Sequence, residues 1–274
     1  LAPVIMQLRR DGRFRTRLIL TGQHRDLVDD VLPTFGLVAD LDLNVMTPDQ
    51  SLAGLTARLL IRLDSVLVPE APSPVLVQGD TTSALATALA AFYRQIPVGH
   101  VEAGLRTGDR TAPFPEEINR RLIADLATWH FAPTARNRDA LYREGIPNDA
   151  ILVTGNTVVD ALVWVLQHVP APPLDLPRPS RLLLIVTAHR RESHGLPFDA
   201  LCRVIRRIAD DHPDLDVCFP VHPNPRVHDP IHRALADHAR IFLRPPMGYA
   251  PFVHLLARSD LILTDSGGIQ EEAA

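Results

Sequence analysis

Polar residues stand where short apolar runs end: Asp80 after Val75-Leu-Val-Gln-Gly, Glu102 after Pro97-Val-Gly-His-Val, His189 after Val186-Thr-Ala, His222 after Phe219-Pro-Val, and Asp265 after Leu261-Ile-Leu-Thr. If these runs are parallel strands, their C-terminal ends form the edge at which open α/β sheets bind ligands. Glu116 and Glu117 open a further helical pattern after Pro113-Phe-Pro. Asp80, Glu102 and Glu116 are therefore candidates for acid/base work, provided that burial or mutual repulsion separates their pKa values. Structural roles compete with that reading. Asp80 precedes Thr81-Thr-Ser and an Ala/Leu-rich stretch, so it reads equally as a helix N-cap. Acids in a first helical turn complement the helix dipole, which is the favoured reading of Glu117 and a close rival for Glu116.

A second chemistry is carried by Leu261-Ile-Leu-Thr-Asp-Ser-Gly-Gly-Ile-Gln-Glu-Glu272, an apolar strand running into a glycine turn and a helix start. Ser266, Gly267 and Gly268 would let a phosphate approach backbone N–H groups at the positive end of that helix, and the segment reads equally as a glycine-rich loop with no ligand. His189-Arg-Arg-Glu-Ser193 is an unusually polar strand exit, suited to a diphosphate or sugar hydroxyls, with a surface salt-bridge network around Glu192 as the alternative. His222-Pro-Asn-Pro reads equally as a packed loop anchor.

Several functions are excluded or unsupported. All 28 basic residues are Arg, which rules out a Schiff-base or P-loop lysine within this chain and suits planar recognition of phosphate and carboxylate. Neither a Gly-x-Ser-x-Gly elbow nor a complete Gly-x-Gly-x-x-Gly occurs, so nucleophilic serine and nicotinamide chemistry lack a warrant. No histidine set has zinc spacing, and no metal is expected. A net charge of −4 gives no basic footprint for nucleic acid, and no apolar run approaches the roughly 18 residues of a membrane span. Cys202 and Cys218 lie in apolar contexts and read as buried, reduced thiols of a cytoplasmic protein.

The elements that must position these groups follow from the patterning. Apolar runs at 17–21, 75–79, 97–101, 151–154, 181–186, 216–219, 240–243 and 261–264 alternate with longer helical patterns. Continuous apolarity predicts parallel strands covered on both faces by helices, joined by right-handed crossovers. Proline density after His168 predicts a semi-rigid linker over 169–180, dividing a domain at 1–168 from one at 181–274.

The runs Gln78-Gly-Asp-Thr-Thr, Gly99-His-Val-Glu-Ala-Gly-Leu-Arg-Thr, Pro115-Glu-Glu-Ile-Asn-Arg, Val153-Thr-Gly-Asn-Thr-Val-Val-Asp, His189-Arg-Arg-Glu-Ser, Pro220-Val-His-Pro-Asn-Pro and Thr264-Asp-Ser-Gly-Gly-Ile-Gln-Glu-Glu-Ala together resemble the non-hydrolysing UDP-N-acetylglucosamine 2-epimerases. The resemblance implies a GT-B-like fold, two Rossmann-like, doubly wound parallel-sheet domains with the nucleotide-sugar in the cleft between them. It also implies a reaction: UDP-GlcNAc loses its C2 proton, UDP leaves by anti elimination, and re-addition to 2-acetamidoglucal gives UDP-ManNAc without any cofactor.

By motif, Asp80, Glu102 and Glu116 match the family's catalytic carboxylates, and His189 matches a catalytic residue contacting UDP. Ser266, Gly267 and Gly268 match its phosphate turn, and Glu272 matches a carboxylate on the ribose hydroxyls. Phe252 matches a uracil-lining position, although it reads nearly as well as helix core. Gln23, Arg190 and His222 lie in motifs resembling an allosteric UDP-GlcNAc site. The resemblance further implies a homodimer in polysaccharide synthesis. It also marks the chain as a piece of a longer enzyme, lacking the family's first strand with its Gly-Thr-Arg-Pro-Glu turn and a downstream Arg-Asp-Thr-Thr-Glu-Arg-Pro region, and so expected to be inactive and poorly soluble alone.

Overall fold

The computed structural model describes residues 1–274 except 24, 48, 71–73, 174–180, 189–195 and 274. Most of the predicted linker, together with His189 and Arg190, thus lies outside the described residues. The chain forms two compact units, Leu1–Asp29 with Leu37–Thr157, and Asp30–Gly36 with Val158–Ala274.

The first unit holds α1 (Ala2–Arg10), β1 (Ile19–Leu20), the start of α2 (Arg25–Thr34), β2 (Leu41–Asp42), α3 (Leu52–Glu70), β3 (Val75–Gln78), α4 (Thr82–Tyr93), β4 (Val98–Val101), α5 (Glu116–Leu126), β5 (Trp129–Ala132), α6 (Ala135–Arg143) and β6 (Ile151–Val153). Strands β3 to β6 form a parallel sheet in sequence order, and β1 pairs separately with β2, also in parallel. Simple order with parallel pairing requires a helical crossover after each strand, which α4, α5 and α6 provide. Helix α4 buries Ala84, Ala86, Ala88, Ala90 and Ala91, small side chains that let it lie close against α3, α5 and β3.

The second unit holds most of α7 (Thr157–His168), then β7 (Leu182–Thr187), α8 (Leu196–Asp211), β8 (Leu215–Pro220), α9 (Pro225–Leu235), β9 (Ile241–Arg244), α10 (Tyr249–Ala257), β10 (Leu261–Thr264) and α11 (Gly267–Glu272). Its parallel sheet has the order β10-β7-β8-β9. The reversal beside β7 places the ends of β7 and β10 side by side, the switch-point geometry at which doubly wound sheets bind ligands. Leu184, Val186, Val217 and Phe219 of this sheet pack on Ile205 of α8 and Ile231 of α9. Cys202 and Cys218 are free and buried, and burial pushes the Cys218 thiol up to about 11. Among the described residues, no helix is long and apolar enough to cross a membrane.

Candidate functional site

At the exit of the first sheet, β3 and β4 end in register, Gln78 beside Val101. Gly79 follows with φ +69° and Glu102 with φ +66°, both in the left-handed region. Glycine meets that requirement without a Cβ penalty, whereas Glu102 occupies it at a cost on the order of 1–3 kcal/mol, the kind of outlier concentrated at functional sites. The Gly79 N–H donates to the Val101 carbonyl at 3.1 Å, and the Gln78 amide donates to Glu102 Oε2 at 3.2 Å. The two turns are thereby tied to each other.

Asp80 is not the cap of α4. Thr81 performs that role, its hydroxyl accepting from the Ala84 N–H at 3.2 Å. The Asp80 carboxylate instead pairs with Arg120, while its carbonyl accepts from the Asn119 side chain at 2.8 Å. Asn119 and Arg120 stand three and four residues after Glu116 on α5, hence on its face of the helix. Two strand ends and one helix start thus bring Asp80, Glu102 and Glu116 to one end of the first sheet. Gln23 joins them there, its side-chain oxygen accepting from the Ser83 N–H at 3.0 Å and the Ser83 hydroxyl at 2.5 Å.

Glu117 has a different fate from its neighbour. Wholly buried, it accepts from the Thr107 and Gly108 N–H groups at 3.0 and 3.2 Å and pairs with Arg120 and Arg121 at 3.5 and 3.3 Å. Burial alone would raise its pKa; the Thr107 and Gly108 hydrogen bonds and the Arg120 charge outweigh it and hold the carboxyl below its ordinary value. The dipole reading of Glu117 therefore understates it. This residue locks the loop between β4 and α5 and supplies the counter-charge for the arginine that grips Asp80.

At the exit of the second sheet, Thr187 and Thr264 are in register and their hydroxyls bond at 2.6 Å. The Thr264 hydroxyl also accepts from the Ser266 N–H at 3.0 Å, and Ser266 caps α11 by accepting from the Ile269 N–H at 3.5 Å. Gly267 and Gly268 follow with neither φ in the left-handed region, and a Cβ on Gly267 would meet nothing within 4 Å. Local packing does not require glycine there.

Glu272, at the last position of α11, has its carboxyl pushed up by burial. Burial, reinforced by the Glu272 charge, pushes the Tyr249 phenol up to about 12, so these two groups are electrostatic neighbours. Phe252 is half-buried against a cluster containing Leu255, Leu256 and Ile269, in keeping with its core reading. His222 is exposed and its Nδ1 accepts from the Asn224 N–H at 3.1 Å, an anchor for its own loop. Among the described residues, no group of three or more His, Cys, Asp or Glu could hold a metal ion.

Residues that sequence reasoning left unassigned complete both ends: Gln78, Asn119 and Arg120 in the first unit, and Thr264 and Tyr249 in the second. For Arg120 a signal existed, since the Glu116-x-x-Asn119-Arg120 spacing sets these side chains on one helical face. The same spacing marks Glu117, whose partners Arg120 and Arg121 stand three and four residues after it on α5.

Comparison with known proteins agrees with this architecture. The family model described as UDP-N-acetylglucosamine 2-epimerase matches residues 6–274. A UDP-N-acetylglucosamine 2-epimerase of Salmonella typhimurium is 47% identical over 282 residues, covering 100% of this chain and 75% of the relative; one from Escherichia coli strain K12 is 46% identical over 285 residues with the same coverage. The crystal structure of UDP-GlcNAc 2-epimerase from Neisseria meningitidis bound to UDP-GlcNAc superposes with a TM-score of 0.91 at 43% identity, covering 99% of this chain and 76% of that one. Motif order, strand-end chemistry, fold and similarity along the whole of this chain coincide: the chain belongs to the UDP-N-acetylglucosamine 2-epimerase family, with its GT-B-like fold.

Proposed function

We propose that this protein interconverts UDP-GlcNAc and UDP-ManNAc without net hydrolysis. A carboxylate at the end of the first sheet removes the C2 proton, and the C1–O bond to UDP breaks on the opposite face, leaving 2-acetamidoglucal. UDP then re-adds at C1 while a carboxylic acid returns a proton to the other face of C2. Atoms and electrons balance without a redox partner, so the reaction calls for no cofactor. Asp80, Glu102 and Glu116 carry the proton transfers, with His189 acting on the UDP side.

Ser266, Gly267 and Gly268 hold the diphosphate through backbone N–H groups, Glu272 takes the ribose hydroxyls, and Phe252 lines the uracil. Gln23, Arg190 and His222 belong to a second, regulatory UDP-GlcNAc site, an assignment carried by their motifs. The enzyme works as a cytoplasmic homodimer supplying cell-surface polysaccharide synthesis. The observation that carries this reading is the convergence of Asp80, Glu102 and Glu116 on one sheet end, with Arg120 holding Asp80.

The test is to incubate protein from the complete open reading frame with UDP-GlcNAc in deuterated water and follow C2 and the products by NMR. Exchange at C2 with UDP-ManNAc accumulating is expected. Exchange with free ManNAc would make the enzyme hydrolysing, and no exchange in a folded, UDP-binding protein would leave a transferase or a binding subunit.

A further inference from the structure

The ring of His100 is 1% exposed, on β4 between Gly99 and Val101, and its Nε2 lies 2.8 Å from the Gly79 carbonyl oxygen. A carbonyl only accepts, so Nε2 carries the proton and the ring is the Nε2–H tautomer. Burial, the largest influence, holds the His100 pKa down to about 4, and the charges of His130, Arg106 and Arg120 act in the same direction, so the ring is neutral at physiological pH. The carbonyl it holds belongs to the Gly79–Asp80 peptide, and the Gly79 N–H is already tied to Val101. Both faces of this left-handed turn are therefore fixed to β4, the strand that ends in Glu102.

We propose that His100 is a positioning residue for the reaction: by donating to the Gly79 carbonyl it fixes the peptide plane that aims Asp80 relative to Glu102. This rests on Asp80 being one of the proton-transfer carboxylates. His130 supplies the internal comparison. It is equally buried and paired in register with His100, but its bond is to the backbone at Ala127, away from the Asp80 turn.

The test uses protein from the complete open reading frame and compares His100→Met, which fills the space without a donor, with His100→Gln, which restores an amide N–H near Nε2. His100→Met is expected to lose about 100-fold in kcat, the scale of a small misplacement of a catalytic group, with KM and UDP affinity within about twofold of wild type. His100→Gln recovers most of that loss, and His130→Phe, whatever its effect on melting temperature, retains kcat. Full activity of His100→Met, or an equal kcat loss in His130→Phe, would overturn the inference. Should His100→Met not fold, 15N NMR of the wild-type histidines decides, since an Nδ1–H tautomer at His100 is incompatible with the bond. Absence of C2 exchange in the wild-type protein would instead overturn the proposed function, and the tautomer measurement still stands apart from it.

Discussion

Glu116 and Glu117 are adjacent in sequence and alike in chemistry, yet α5 turns them to opposite purposes. Glu116 begins the helix face that continues through Asn119 and Arg120 to Asp80, whereas Glu117 is enclosed among Thr107, Gly108, Arg120 and Arg121. The pair of Gln substitutions should separate catalysis from stability. Glu116→Gln is expected to lower kcat by about 10²–10⁴-fold, the range for a general acid or base, while leaving UDP affinity and melting temperature near wild type. Glu117→Gln leaves two arginines short of a counter-charge in a buried place, which should cost about 3 kcal/mol and lower the melting temperature by several degrees. The sign with pH follows from the depressed pKa of Glu117. Its stabilisation is present above the unfolded value of 4.5 and is lost as pH falls through the lower folded value, so the gap between wild type and Glu117→Gln should narrow in acid. Thermal melts at neutral pH and below pH 4.5 check this; a gap that is constant with pH would mean that Glu117 does not act through its charge.

The strand–turn–helix formed by β10, Ser266-Gly-Gly and α11 yields the prediction at the scale of elements. Because a Cβ at Gly267 meets open space and the backbone is not left-handed, Gly267→Ala should leave the melting temperature unchanged or slightly raised, by up to about 1 kcal/mol of helix propensity. Its methyl group would still stand where a diphosphate must approach the N–H groups, so UDP affinity should fall by on the order of tenfold or more, read by calorimetric titration. Unchanged affinity would move the diphosphate away from this turn. Gly104 shows the contrasting case: at φ +89° its absent Cβ leaves room for the Asn137 backbone at the start of α6, so glycine is demanded by packing. This also explains what could be read in advance. The continuous apolar runs of β7 and β8 announce themselves because burial on both faces selects apolar residues, and β10 keeps an apolar run although Leu261 and Leu263 are exposed. Strand β5, Trp129-His-Phe-Ala, escaped notice because it lacks the β-branched valines that flag β4 despite His100, and the burial of His130 in register beside His100 is a tertiary circumstance absent from local pattern. Strand β2 is two residues with Asp42 in it, too short and polar to signal. The cap reading of Asp80 failed because the next residue, Thr81, is an equally good cap: its hydroxyl accepts from the Ala84 N–H while the Asp80 carboxylate pairs with Arg120, forty residues later.

At the scale of the molecule, each unit carries its own apolar core and its own sheet exit, so each can melt as a cooperative body. Leu59, Ala86, Val98 and Ile123 anchor the first core, and Ile205, Val217, Ile231 and Leu235 the second. The second unit also recruits Asp30–Gly36: Asp30 accepts from the Tyr249 N–H at 2.5 Å, and Phe35 lies 4.9 Å from the Trp164 ring. The two tryptophans divide between the units, Trp129 on β5 and Trp164 on α7, giving each unit a fluorescent reporter. Among the described residues the buried Trp164 indole N–H has no hydrogen-bond partner, and Trp129 stands partly exposed at the start of its strand, so phenylalanine is a mild replacement at either position. If the turn at Ser266 holds UDP, nucleotide at a hundred times its Kd should stabilise the unit that binds it by about 2.7 kcal/mol. Melts of Trp129→Phe, which report Trp164, should therefore shift upward with UDP more than melts of Trp164→Phe, which report Trp129. A shift confined to the Trp129 signal would relocate the nucleotide to the first unit. Equal shifts would mean that the two cores unfold as one, and ligand energy delivered to either sheet would then be shared by the whole chain.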